Sequence, residues 1–203
     1  MASVATVVVP FRSGGKSRLP AAVRVDLALA MVCDVLEAAA AHAGHVRLVT
    51  DDAAAVAIAA ALGVEAIADP GGGQGVAVQA ALGGLEGPCL IVNADLPGAT
   101  PAALARLEAL APALVAAADG TTNALALPEP AWFTPLYGSG SAARFTALGL
   151  VPASIPELEH DVDTLLDLLE LLELRDPERL TLPLGRRTGF VLNQHKVIAA
   201  RTA

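Results

Sequence analysis

Apolar runs of strand length alternate with alanine-rich helical stretches over the first 110 residues, and this alternation is the strongest constraint on the fold. Short runs of Val, Ile and Leu that end at polar or glycine-rich turns are typical of strands buried on both faces. Strands separated by helices pair in parallel through right-handed crossovers. We therefore predict an α/β fold, a mostly parallel mixed sheet with helices on both faces. The predicted strands are 4–9, 45–50, 64–68, 88–94, 113–118, 123–127 and 151–155, and the predicted helices are 21–43, 53–62, 76–82, one from residue 100, 142–148 and one after residue 164.

The loop after the first strand combines glycine with positive charge. It contains Gly14, Gly15, Lys16 and Arg18 and leads directly into the first helix. Glycine lets backbone amides approach an anion, and Lys and Arg supply charge, so the loop is a candidate phosphate-binding site. A P-loop would need glycine where Pro10 stands, and the spacing of the dinucleotide-binding glycines is absent. A surface loop with solvated Lys and Arg is the alternative.

Acidic residues follow several of the other predicted strands. Carboxyl ends of parallel strands meet at one edge of a sheet, where ligands bind. Mg²⁺ takes one or two carboxylates and completes its shell with water and phosphate oxygens, so Asp95 and Asp163 are the candidate ligands. The alternatives are structural: Asp95 would cap a turn or helix, and Asp161 and Asp163 would cap the last helix, a role that Thr164 could share.

Composition limits the class of protein. The net charge of −8 argues against nucleic acid as a partner, although a local cationic pocket can still bind a small anion. Two cysteines lie inside apolar runs without a disulfide pattern, which fits a reducing cytoplasm. We expect no signal peptide and no membrane span, because the N-terminus has no basic segment and the stretch 21–43 carries four charges.

Other catalytic centres find no support. The four histidines are scattered and no G-x-S-x-G elbow occurs. The stretch from Gly138 to Ser141 precedes a predicted helix, and its amides are a candidate site for a carboxylate or phosphate. We expect one domain over 1–203, with 176–203 as a C-terminal tail whose role the sequence does not assign. The sequence does not determine the oligomeric state, and a homodimer is one of the alternatives.

Six segments, in this order, resemble the guanylyltransferases of coenzyme F420 biosynthesis, which act on 2-phospho-L-lactate in archaea and on phosphoenolpyruvate in actinobacteria. They are VPFRSGGKSRL (9–19), VTDD (49–52), NADLP (93–97), GTTNAL (120–125), YGSGS (137–141) and DVDTLLDL (161–168). The resemblance implies a nucleotidyltransferase fold like that of the GT-A glycosyltransferases. It also implies GTP and a small phosphorylated three-carbon acid as substrates. The alanine-rich composition favours phosphoenolpyruvate.

The resemblance assigns roles to matching residues. It implies catalytic roles for Lys16, Arg18 and Asp95, and Mg²⁺ binding by Asp95 and Asp163. The implied nucleotide-binding residues are Gly14, Gly15, Lys16, Arg18, Thr50 and Asp51, and those for the acid's carboxylate are Thr122, Gly138 and Ser141.

Two positions depart from the family pattern. The family often has Gly-Leu-Asn where this chain reads Gly73-Gln74-Gly75, and Phe145 stands where a histidine is usual. The alternatives are therefore a nucleotidyltransferase of the same fold with another nucleotide or acceptor, and a non-catalytic nucleotide-binding domain.

Overall fold

The computed structural model of the chain describes residues 5–12, 14, 18–173 and 184–195. Gly15 and Lys16 of the predicted phosphate-binding loop lie outside the described residues. The strands are β1 Thr6–Pro10, β2 Val46–Thr50, β3 Glu65–Ala68, β4 Cys89–Val92, β5 Ala113–Ala116, β6 Thr122–Leu127 and β7 Val151–Pro152. The helices are α1 Ala21–His42, α2 Ala53–Ala61, α3 Gln74–Leu82, α4 Pro101–Ala109, α5 Ser141–Ala147, α6 Pro156–Glu159, α7 Leu165–Glu173 and α8 Arg186–Gln194.

The seven described strands form one sheet in the order β3-β2-β1-β4-β6-β5-β7. β1 pairs in parallel with β2 and β4, and β2 pairs in parallel with β3. β6 runs antiparallel to both β4 and β5, while β5 and β7 are parallel. Among the described strands, β6 runs antiparallel to the direction that the other six share. The predicted mostly parallel mixed sheet is therefore confirmed.

Helices cover both faces of the sheet, as predicted. Val7 and Val9 of β1 belong to the core formed with α1, α2, α4 and α6, whereas Val8 belongs to the core formed with α3 and α5. This division follows from the alternation of side chains along a strand. Both cores are built mainly from Ala, Val and Leu.

The predicted strand over 151–155 is shorter than expected. It ends at Pro152, and Pro156 begins the short helix α6. Pro152 has no N–H for the ladder, and proline is favoured in the first turn of a helix, so the backbone turns away from the sheet here.

Helix α8 lies in the stretch for which the sequence predicted no structure. Asp34, buried in the middle of α1, accepts hydrogen bonds from the amides of Arg187 at 2.9 Å and Thr188 at 2.8 Å. A carboxylate on one helix therefore caps the N-terminus of another that is about 150 positions away in sequence.

A third apolar cluster lies between α1, α7 and α8. Its buried members are Leu19, Leu27, Met31, Val162, Leu168 and Leu192. The cluster joins the end of the first loop to the segment before α7. No helix within the described ranges combines the length and the apolar character that crossing a membrane requires.

Candidate functional site

A cleft opens at the carboxyl edge of the sheet, beyond the ends of β1 to β4. Phe11, Met31 and Val49 form part of its apolar wall. Its polar lining consists of Arg12, Asp69, Gln74, Asn93, Asp95 and Asp163. The parallel strands place these side chains together because they all end at the same edge.

Three carboxylates converge at this cleft. Asp95 follows β4, Asp161 and Asp163 precede α7, and one oxygen from each lies within 4.8 Å of the others. The amide of Val162 donates to the carbonyl oxygen of Asp95 at 3.1 Å, which ties the two segments together. Val162 itself is buried in the third apolar cluster, so the flanking acids are held by a packed residue between them.

The environment of Asp161 disfavours its negative charge. Burial raises the pKa of Asp161 to about 6, and the charges of Asp95 and Asp163 act in the same direction. The amide of Asn123, which donates to Asp161 Oδ1 at 3.4 Å, opposes the shift. A set of half-buried carboxylate oxygens suits a hard divalent cation, whose charge would compensate their repulsion.

Of the residues that the sequence suggested as caps of the last helix, Thr164 has that role, together with Asp167. Thr164 Oγ1 accepts from the amide of Asp167 at 3.2 Å, and Asp167 Oδ2 accepts from the amides of Asp163 and Thr164 at 2.9 and 2.7 Å. This reciprocal arrangement is a capping box at the start of α7. Sequence reasoning paired Asp163 with Asp95 and omitted Asp161, although the Asp-x-Asp spacing was a usable signal.

Arg12 is a second residue that sequence reasoning missed. Its Nε donates to Asp69 Oδ2 at 2.6 Å inside the cleft, and this hydrogen bond holds the pKa of Asp69 below its usual range. The available signal was a positive charge two residues beyond the end of β1.

Of the residues predicted to bind the triphosphate, Gly14 and Arg18 are described and exposed.

Thr50 and Asp51 lie at the same edge of the sheet. The Thr50 side chain is buried, and its Oγ1 accepts from the amide of Asp52 at 3.1 Å. Asp52 in turn caps α2 by accepting from the amide of Ala55. Asp51 is exposed, and the nucleotide-binding role of both residues stays a prediction.

The predicted carboxylate-binding residues come together around the start of α5. The hydroxyls of Thr122 and Ser141 are buried and lie 2.9 Å apart. Gly138 has a positive φ of 109°, which favours glycine. Arg144 donates to the carbonyl oxygens of Leu136 at 2.8 Å and Ser139 at 2.7 Å, which fixes the shape of this loop.

Phe145, which stands where the family usually has histidine, is a core residue. Its side chain is 1% exposed and packs edge-on against Tyr137, with ring centroids 5.6 Å apart. The ring belongs to the core on the α3 and α5 side of the sheet.

A chain of amide groups crosses the cleft floor. Gln74 Nε2 donates to Asn93 Oδ1 at 2.7 Å, and Asn93 Nδ2 donates to the carbonyl oxygen of Thr122 at 3.0 Å. These bonds connect the start of α3 with the end of β4 and the start of β6.

Comparison with known proteins agrees with this geometry. The MobA-like NTP transferase domain family matches residues 14–149. The phosphoenolpyruvate guanylyltransferase of Streptomyces coelicolor is 38% identical over 83% of this chain and 90% of its own length. The protein of that name from Sphaerobacter thermophilus is 35% identical over 84% of this chain and 93% of its own length.

Solved structures share the fold at low sequence identity. A candidate nucleotide-diphospho-sugar transferase from Desulfovibrio desulfuricans superposes with a TM-score of 0.69 at 15% identity, covering 98% of both chains. A nucleotidyl transferase from Methanothermobacter has a TM-score of 0.60 at 18% identity, covering 84% of this chain and 96% of that one. With a sheet, a cleft and an acidic cluster of this kind, and with relatives that match most of its length, the chain belongs to the phosphoenolpyruvate guanylyltransferase family, within the MobA-like NTP transferases.

Proposed function

We propose that the protein transfers GMP from GTP to the phosphate of phosphoenolpyruvate, releases pyrophosphate, and uses Mg²⁺ as its metal. The observation that carries the proposal is the convergence of Asp161 with Asp95 and Asp163, the last two of which line the same cleft as Arg12. The relatives named phosphoenolpyruvate guanylyltransferase support the choice of nucleotide and acceptor.

The reaction needs no general base. The second pKa of a phosphomonoester is about 6, so the acceptor phosphate is already an anionic nucleophile at neutral pH. One of its oxygens forms a bond to the α-phosphorus of GTP, and the bond from that phosphorus to the bridging oxygen breaks as pyrophosphate leaves. This agrees with a cleft whose described polar lining contains no histidine or cysteine.

The task of the protein is to bring two anions together. A bound Mg²⁺ would neutralise charge on the triphosphate and on the three carboxylates. Arg12 and Arg18, with Lys16 and the amides of Gly14 and Gly15, are assigned to the phosphates. Asp69 orients the Arg12 guanidinium by accepting from its Nε.

The acceptor's carboxylate is assigned to Thr122 at the start of β6, to Gly138 in the loop before α5 and to Ser141 at the start of α5. The Thr122 and Ser141 hydroxyls bind each other, which holds the two side chains together for this role. Buried cysteines without a disulfide among the described residues, Cys33 and Cys89, support a cytoplasmic location.

The test is pyrophosphate release, measured with GTP, ATP or CTP and with phosphoenolpyruvate, 2-phospho-L-lactate or 3-phosphoglycerate, in Mg²⁺ and in EDTA. We expect release with GTP and phosphoenolpyruvate in Mg²⁺ and none in EDTA. Release with another pair would reassign the substrates. Failure of every pair would refute the catalytic proposal and favour a nucleotide-binding role alone.

A further inference from the structure

We propose that Arg144 is a positioning residue for the acceptor acid. Its guanidinium holds the carbonyl oxygens of the loop 136–140 on one side, so that the amides of the same loop face the carboxylate of the acid. The inference rests on the proposed function, because it requires that carboxylate to bind at Gly138. Arg144 is exposed and acts through the loop, without a contact of its own to the acid.

The donors of the Arg144 guanidinium are directed at backbone carbonyls. Nη2 donates to the oxygen of Leu136 at 2.8 Å, Nη1 donates to that of Ser139 at 2.7 Å, and Nε lies 3.2 Å from the oxygen of Leu136. Nη2 is also 3.4 Å from the oxygens of Tyr137 and Gly138. Four consecutive carbonyl groups therefore face one side chain.

The direction of the carbonyls fixes the direction of the amides. A planar trans peptide points its C=O and its N–H in opposite directions. Because the carbonyls of 136–139 face the guanidinium, the amides of 137–140 face away from it. Across the part of the chain that the structure describes, the amides of Gly138, Ser139 and Gly140 donate to no protein acceptor. They are therefore available to a ligand.

Two glycines give the loop this shape. Gly138 and Gly140 have φ angles of 109° and 69°, in the region that glycine adopts readily and other residues rarely do. A Cβ added at Gly140 would lie 3.6 Å from Arg144 Nη1, and one added at Gly138 would lie 3.9 Å from Nη2. The guanidinium therefore lies directly against the loop, on the side that the carbonyls face.

Helix α5 separates the two sides of the loop. Ser141 and Phe145 are buried, one turn apart, whereas Arg144 is exposed. The guanidinium therefore approaches the loop from outside, and the amides that face away from it point toward the buried side. The Ser141 and Thr122 hydroxyls, which the proposed function assigns to the same carboxylate, lie together on that side.

The positive charge of Arg144 is not paired with a carboxylate of the described residues. Other arginines of the chain have such partners: Arg47 pairs with Glu65, and Arg106 pairs with Glu157. The hydrogen-bond partners of Arg144 are neutral carbonyls. Its charge therefore acts from directly behind the loop amides and favours an anion in front of them.

The test is steady-state pyrophosphate release with GTP, phosphoenolpyruvate and Mg²⁺, using the full chain and its Arg144→Met and Arg144→Lys variants. We expect Arg144→Met to raise the KM for phosphoenolpyruvate about ten- to thirtyfold, while kcat and the KM for GTP change by less than about twofold. Arg144→Lys keeps the charge but lacks the planar fork of donors, so its KM for phosphoenolpyruvate should lie between the two.

Arg47→Met is the matched control. Arg47 also holds a turn by donating to two carbonyls, those of Ala81 at 2.8 Å and Gly83 at 2.9 Å. These contacts lie at the opposite end of α3 from Gln74, which lines the cleft. Arg47→Met should therefore leave kcat and both KM values unchanged, even where it lowers stability.

Two competitive inhibitors show whether the effect belongs to the carboxylate. Phosphoglycolate carries a phosphate and a carboxylate, as phosphoenolpyruvate does, and ethyl phosphate has a methyl group in place of the carboxylate. We expect Arg144→Met to weaken inhibition by phosphoglycolate by the same factor that raises the KM for phosphoenolpyruvate. Inhibition by ethyl phosphate should be unchanged, so the two substitutions form a double-mutant cycle.

Several results would overturn the inference while leaving the proposed function intact. These are an unchanged KM for phosphoenolpyruvate in Arg144→Met, a parallel rise in the KM for GTP, and equal weakening of the two inhibitors. If Arg144→Met does not fold, Arg144→Lys decides, because an unchanged KM in that variant would mean that the fork of donors has no positioning role. Absence of pyrophosphate release by the unmodified protein would instead refute the proposed function, and the inference with it.

Discussion

Asp161 combines an environment that disfavours its charge with a position in the proposed metal site. Burial and two neighbouring carboxylates disfavour the negative charge of Asp161. Removing this charge should therefore stabilise the metal-free protein. We expect Asp161→Asn to raise the free energy of unfolding in EDTA by on the order of 1 kcal/mol, after discounting for solvent screening. The same variant should lose most of the stabilisation that Mg²⁺ gives the unmodified protein. Urea denaturation in EDTA and in Mg²⁺ measures both effects.

Asp119 provides the control for that substitution. It is another acid, in the turn between β5 and β6, but hydrogen bonds from Thr121 lower its pKa. Asp119→Asn should therefore reduce stability in both buffers and leave the Mg²⁺ effect unchanged. If Asp161→Asn behaves in the same way as Asp119→Asn, Asp161 is not a metal ligand.

Single residues differ in how well the sequence identifies them. Asp95 and Asp163 were found because each borders a predicted element at the ligand-binding edge, and the structure brings both to the cleft. A cap on the last helix was the alternative for both Asp161 and Asp163, and the structure shows Thr164 and Asp167 in that role. The sequence marks Gln74 as a departure from the family pattern, but it cannot predict the orientation of the side chain, which depends on a carbonyl 48 positions away.

At the scale of whole elements, α8 depends on a buried charge in α1. Asp34 is 6% exposed and accepts from two amides in the first turn of α8. Removing it leaves those amides without their acceptor and removes a favourable charge at a helix N-terminus. We expect Asp34→Ala to lower the free energy of unfolding by about 2–3 kcal/mol, measured by urea denaturation.

Glu37 is the comparison within the same helix. It lies one turn from Asp34 and pairs with Arg186 at 3.5 Å and Arg187 at 3.4 Å, where the arginines are exposed. Exposed pairs of this kind contribute little, so Glu37→Ala should change stability by no more than about 0.5 kcal/mol. Equal losses in the two variants would show that the Asp34 cap has no special role in holding α8.

At the scale of the whole molecule, sequence periodicity predicts the elements that have their own apolar pattern. It misses the features that depend on residues distant in the sequence. The predicted alternation matches β1 to β4 and the helices between them, because each element shows its own apolar pattern and end signals. The antiparallel direction of β6 depends on its pairing with β4 and β5, and no local pattern in the sequence specifies that pairing. Helix α8 was missed because its cap, Asp34, lies on another element.

The third apolar cluster gives the molecule a physical link between α8 and the candidate metal site. Leu192 of α8 is fully buried in the cluster that contains Val162, and Val162 separates Asp161 from Asp163. Leu192→Ala should therefore loosen the acidic segment as well as create a cavity. We expect a loss of about 2–5 kcal/mol in the free energy of unfolding and about a tenfold loss in Mn²⁺ affinity, measured by calorimetry.

Leu127→Ala separates the two effects of the Leu192 substitution. Leu127 is also buried, but it ends β6 and belongs to the core on the α3 and α5 side of the sheet. Its removal should cost similar stability through its cavity while leaving Mn²⁺ affinity unchanged, because that core contains no residue next to Asp95, Asp161 or Asp163. If both leucine variants bind Mn²⁺ as tightly as the unmodified protein, α8 stabilises the fold without positioning the acids. If Leu192→Ala alone weakens binding, the metal site extends through packing to a helix that contributes no ligand to it.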